Sequence, residues 1–157
     1  MEKENFLRTK LISYLQRLDP ATLPKWGKMS VQQMIEHYAG DAVRNANGRL
    51  KIENIVTPPE HLEKMREFMM SEKPFKENTN NPLMGEEPLP PRYKTVQAAI
   101  GSLQQELIYF FDAYEKNPSM VIRNPFFGDL NFEQNVQLLY KHALHHLRQF
   151  GVEPLTT

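Results

Sequence analysis

The feature that most constrains this chain is a helical apolar period in four stretches, with proline-rich segments between them. From about Glu4 to Leu18, the residues Leu7, Leu11, Tyr14, Leu15 and Leu18 recur at three- and four-residue steps, which sets them on one helix face. Pro20 and Pro24 end that stretch, because proline has no amide donor and clashes with the preceding turn. Ser30, followed three residues later by Gln33, is a capping-box pattern that opens a second helix. Its stripe is Val31, Met34, Ile35, Tyr38 and Ala42, and Gly48 stands where it would stop. A third helix is predicted near Tyr93 to Glu115, with Val96, Ile100, Leu103, Leu107, Phe110 and Tyr114 on one face and Asn117-Pro118 as its end. The fourth runs from Asn131, a good N-cap, to Phe150, with Gly151 and Pro154 as stop signals. Strand-like alternation of comparable length is absent, so the expected fold class is all-α, a four-helix bundle.

Between the second and third helices lies the least regular part, residues 49 to 92. His61 to Met70 suits a short helix after Pro58 and Pro59, and KPFKENTNNPLMGEEPLPP is too rich in Pro and Asn for regular structure. A connection of that length predicts a crossover between helices that are not antiparallel neighbours, either inert or closing over a site.

At 157 residues the chain suits a single domain, 1–157, with a full hydrophobic core. Nineteen Lys and Arg balance nineteen Asp and Glu, so the basic surplus that general nucleic-acid or anionic-membrane binding relies on is missing. There is no cysteine, which excludes a disulfide framework, a thiolate metal site and a cysteine nucleophile of the protein's own. Neither a signal-peptide-like start nor an apolar run of the roughly 20 residues that span a bilayer is present, and a soluble cytoplasmic protein is the simpler expectation.

Three of the five histidines fall within KHALHHLRQ. At about 100° per residue, Phe132, Val136, Leu139, Ala143, Leu147 and Phe150 share a narrow arc facing the core. His142 and His146 lie on one edge of it, roughly 40° apart, with Asn135 and Gln149 on the same strip. His145 falls about 60° or more further toward solvent. Residues i and i+4 stand one above the other, so two imidazoles can converge on one ion. His37, beside Met34 at the border of the second helix's stripe, offers a third ligand, and three protein ligands leave a position open for water or substrate. The plainer alternative is that these are partly buried polar residues on amphipathic helices. His61, after a Pro-Pro-Glu turn, reads as surface, and Glu36 and Asp41 near His37 read as solvated flank residues.

The segment Trp26 to His37, WGKMSVQQMIEH, together with NPFFGDL and KHALHHLRQFG between Asn124 and Gly151, resembles the DinB-like superfamily, and within it a subgroup without an assigned activity. The likeness covers both ends of the chain; the middle is only loosely comparable. It implies a four-helix bundle with a long crossover between helices two and three. It also implies one divalent ion, zinc or nickel, on His37, His142 and His146, with Gln149 as an outer residue that orients an imidazole. Asn124 and Asn135 stand where members of the subgroup tend to carry His and Trp. Met29, Met34 and Phe126 read as packing residues that can also wall a pocket.

Relatives in the wider superfamily include S-transferases and an isomerase that use low-molecular-weight thiols such as bacillithiol, mycothiol or glutathione. The resemblance therefore implies a metal-dependent thiol S-transferase acting on a small-molecule substrate, with the sulfur coming from the cosubstrate. Metal-dependent hydrolysis is a variant, and a non-catalytic metal-binding or stress-response interaction domain is the competing class. Phe110, Phe111, Phe126 and Phe127 are candidates for a face shared in a homodimer, although each is more simply read as internal core.

Overall fold

A computed structural model describes residues 2–78, 83–85 and 87–154; parts of the crossover read above as irregular lie outside the described residues. Among the described residues, five helices and one small hairpin make up the regular structure. Helix α1 covers 2–17, with a π-helical turn at Phe6–Lys10. Helix α2 covers 31–46 and has its own π-helical turn at Tyr38–Val43. Helix α3 is Pro59–Met70, α4 is Val96–Lys116 and α5 is Phe132–Gln149. The fold is mostly helical, and no described helix is long and apolar enough to cross a membrane.

Local chemistry sets the helix starts. Ser30 accepts from the Gln33 amide while the Gln33 side chain accepts from the Ser30 amide, and Asn131 and Gln134 do the same for α5. Thr95 accepts from the Ala98 amide at the start of α4, so that helix begins at Val96, the first residue of its apolar stripe, rather than near Tyr93. Pro59 occupies the first turn of α3, where its missing donor is not needed.

The apolar stripes of α1, α2, α4 and α5 meet in one core, in which Leu7, Leu11, Ile35, Leu103, Phe110, Leu139 and Leu147 are almost wholly excluded from solvent. Helix α4 packs against α1 and α2, and α5 packs against α1 and the π turn of α2. Full burial of each such side chain is worth about 1.5–3 kcal/mol. In α2 the core face departs from a regular helix. Val31, Met34, Ile35 and Tyr38 are buried as expected, but Val43 is buried and Ala42 only partly so. The π turn spends an extra residue between successive contacts, which moves the stripe on by one position.

The hairpin is a departure from the all-helical expectation. Ile122–Asn124 pairs antiparallel with Gly128–Leu130. Strands of three residues are too short to carry a readable period. The turn is built by Asn124, whose Oδ1 accepts from the amides of Phe126 and Phe127, and by Gly128 at φ +80°. A Cβ at Gly128 would also collide with the Arg66 guanidinium, which donates to the Phe127 carbonyl. Beneath the hairpin Met69, Phe127, Leu130 and Leu138 form a second cluster, with Phe75 and Phe126 packed on it. Phe110, Phe111 and Phe127 are buried and Phe126 is half-buried, so these four rings pack within the molecule.

The crossover is fastened on both sides. Glu36 accepts from the amides of Arg92 and Tyr93, and Gln32 and Gln33 donate to the carbonyls of Tyr93 and Leu89. Toward α5, Gln137 donates to the carbonyls of Met69 and Ser71, and Lys141 donates to that of Phe68.

Candidate metal centre

His142 and His146 sit on the same flank of a regular α-helix, one turn apart, and their Nε2 atoms face each other at 2.8 Å. His37, the last residue before the π turn of α2, brings its ring to 5.5 Å from that of His142 and 5.3 Å from that of His146, centroid to centroid. One nitrogen from each imidazole falls within 4.8 Å of the other two, a cluster able to hold a metal ion. Nitrogens sharing a tetrahedral ion with bonds of 2.0–2.1 Å stand roughly 3.3 Å apart, so small side-chain rotations bring the donors onto one centre.

Two hydrogen-bond chains decide which nitrogens are free to ligate. Gln149 Nε2 donates to the Trp26 carbonyl at 3.0 Å, which turns its Oε1 toward His146. His146 Nδ1 donates to that oxygen at 2.9 Å, leaving a lone pair on Nε2. His37 Nδ1 lies 2.8 Å from Asp41 Oδ2, which likewise leaves Nε2 as the free nitrogen. A ligating imidazole commonly hands its second N–H to a carboxylate or amide oxygen in this way, which fixes the tautomer and raises ligand basicity. The donor set therefore fits a divalent ion: three imidazole nitrogens, two of them held from behind.

The electrostatics favour neutral rings. Burial, reinforced by the neighbouring His146 and His37, holds His142 well below the ordinary histidine value. Burial takes His146 down to about 3, against the opposing effect of the hydrogen bond that it donates to Gln149. Neutral imidazole is the ligating form, so no proton has to be displaced from these two rings at neutral pH.

The turn that precedes α2 explains part of the Trp26-Gly27-Lys28-Met29 string. Gly27 has φ +76°, and a Cβ there would stand 3.1 Å from Gln149 Nε2. A side chain at this position would strain the backbone and crowd the amide that orients His146. The Lys25 amide also donates to the Gln149 carbonyl, so the segment before α2 is seated on the end of α5.

Two acidic residues have partners that their sequence reading did not assign, although Asp41 is exposed as expected. Asp41 orients His37, and the signal available was its i, i+4 spacing from that histidine. Glu36 is fastened to the crossover; despite partial burial, the hydrogen bonds from Arg92, Gln32 and Tyr93 hold its carboxyl below the usual range. His145 stays outside the cluster, its ring 5.3 Å from Trp26 and 6.4 Å from Phe75. His61 is exposed. Asn124 is occupied by the hairpin turn and Asn45, and buried Asn135 donates to Tyr114 Oη and the Leu130 carbonyl, so both serve structure. Met34 is core, Met29 packs at its edge, and Phe126 joins the second cluster. Phe75 was not singled out by pattern, yet its ring stands edge-on to His142 and His145 at 6.5 and 6.4 Å. Comparison with protein-family models, curated proteins and solved structures finds no match to this chain.

Proposed function

We propose that the chain is a metal-binding four-helix bundle of the DinB-like kind, built on α1, α2, α4 and α5, that uses a zinc or nickel ion to activate a low-molecular-weight thiol for S-transfer. The observation that carries the reading is the convergence of His37, His142 and His146 with Asp41 and Gln149 behind two of them. When bound, such an ion supplies Lewis acidity that favours thiolate over thiol at neutral pH. The chain's own residues do the rest. His37, His142 and His146 would hold the ion, and Asp41 and Gln149, bonded to Nδ1 of His37 and His146, leave the Nε2 lone pairs of those two rings free. Phe75 and Tyr38, packed against His142, limit water at the cluster, so the charge of the nucleophile is less dispersed there. In the overall transfer the thiol loses its proton, its sulfur forms the new bond to an electrophilic carbon, and the leaving group departs with the electrons of the broken bond.

The test is metal analysis followed by a panel of small thiols and electrophiles. About one equivalent of metal in the wild type, lost in His142→Ala/His146→Ala, with thiol-dependent product formation only in the loaded protein, is the expected result. Turnover of an ester or amide without added thiol would move the reading to hydrolysis. One observation favours a second reading: Phe75 packs over His142 and His145, as suits an ion that only stabilises a non-catalytic interaction domain. Under it, chelation lowers the melting temperature while the panel gives no turnover in wild type or in Phe75→Ala.

A further inference from the structure

The flank of α5 next to the histidines borders a groove of about 280 Å³ that the metal reading does not use. That volume is near the lower end of ligand pockets, ~300–1,000 Å³. Its charged lining is Lys3, Lys73, Lys141 and Arg148 against Glu2 and Glu72, four cations to two carboxylates. The charges are not evenly matched. Lys3 Nζ is already held by Glu72 and by Gln137 Oε1, both at 2.6 Å, which cancels one pair. Arg148 bonds Glu153 across a solvent-facing pair, where screening is strong.

Lys141 is the unusual member. Its side chain belongs to a residue only 6% exposed, yet Nζ has the Phe68 carbonyl at 2.7 Å as hydrogen-bond partner and the rings of Phe68 and Phe75 at 4.3 and 4.9 Å. An ammonium has three donors, and a carbonyl with two aromatic faces does not neutralise its charge. Glu72, already paired with Lys3, is the carboxylate that acts on it across the groove, so part of the Lys141 charge stays uncompensated, and a concave wall of low dielectric concentrates that field. Lys73 stands exposed at the rim of the same groove.

We propose that this groove binds a small oxyanion, a carboxylate or phosphate group, with Lys141 as the buried contact and Lys73 and Arg148 at the rim. With Glu153 on Arg148 counted, the surplus is one charge, which suits a small oxyanion rather than a polyanion such as nucleic acid. The site is independent of the metal.

Calorimetric titration of the full chain with inorganic phosphate, and separately with succinate, tests it at low ionic strength, with and without a chelator. Saturable one-to-one binding of either probe is expected, insensitive to chelator and weakened about tenfold by Lys73→Ala and more by Lys141→Met. Binding of phosphate alone or succinate alone supports the site and names its chemistry. Absence of saturable binding overturns it, as does an affinity lost on chelation, which would place the anion on the metal. Should Lys141→Met fail to fold, Lys73→Ala and Arg148→Ala decide: unchanged affinity in both rejects the groove.

Discussion

Helices α2 and α5 bring histidines to the same point by different means. In α5 the two rings come from one regular turn of helix, so their mutual position is set by the 3.6-residue repeat and by a fully formed capping box at Asn131. In α2 a single ring precedes a π turn, and its position depends on Asp41 beside it and on how α2 lies against α5. The outer partners differ too. Gln149 is buried and anchored to the Trp26 carbonyl, whereas the Asp41 side chain is about half exposed, at 53%. Local geometry thus supplies two thirds of the cluster, and tertiary packing supplies the last third. The α5 pair is the rigid half of the centre and His37 the adjustable half.

Changes to the rings themselves should separate the helices most. His146→Ala should abolish stoichiometric metal binding, because it removes a ligand and strands Gln149 against an apolar gap. His37→Ala should leave weak binding on the α5 pair, with affinity reduced by more than the ~10–100-fold typical of outer-shell changes. Competition titration with a chromophoric chelator reads both; equal affinities in the two variants would break the comparison. Next in size are the outer partners. Gln149→Ala should cost near the upper end of that ~10–100-fold range, and Asp41→Ala near the lower end, since solvent can replace an exposed carboxylate. The reverse order would show that the π turn, not the buried amide, controls the site. The smallest effects are expected at the caps. Ser30→Ala and Asn131→Ala should each lower stability by about 1 kcal/mol in urea unfolding, and only the former should loosen metal binding, through His37.

Much of the helical scaffold is legible in the residues. The stripes of α1, α4 and α5 match the buried faces, and Ser30, Asn131 and Gly48 mark boundaries through chemistry that acts within a few residues. Legibility stops where the backbone leaves the repeat. A π turn has no compositional signature here, so the shift from Ala42 to Val43 could not be read. The hairpin escaped because three-residue strands carry no period, although Asn124 and Gly128 are ordinary turn residues. Within the site, the i, i+4 histidines and Gln149 share a strip on any helical projection, whereas Phe75 comes from a segment with no repeat at all.

The sequence by itself determined the helices, the starts at Ser30 and Asn131 and the alignment of His142, His146 and Gln149, because these depend on interactions between residues a few positions apart. Only the tertiary structure decided that His37 meets that pair, that Asp41 and Trp26 hold the donors in place, and that the crossover lays Phe75 over them. Those contacts join residues far apart in the chain, and they form only when burial of the shared core brings α2, α5 and the crossover together.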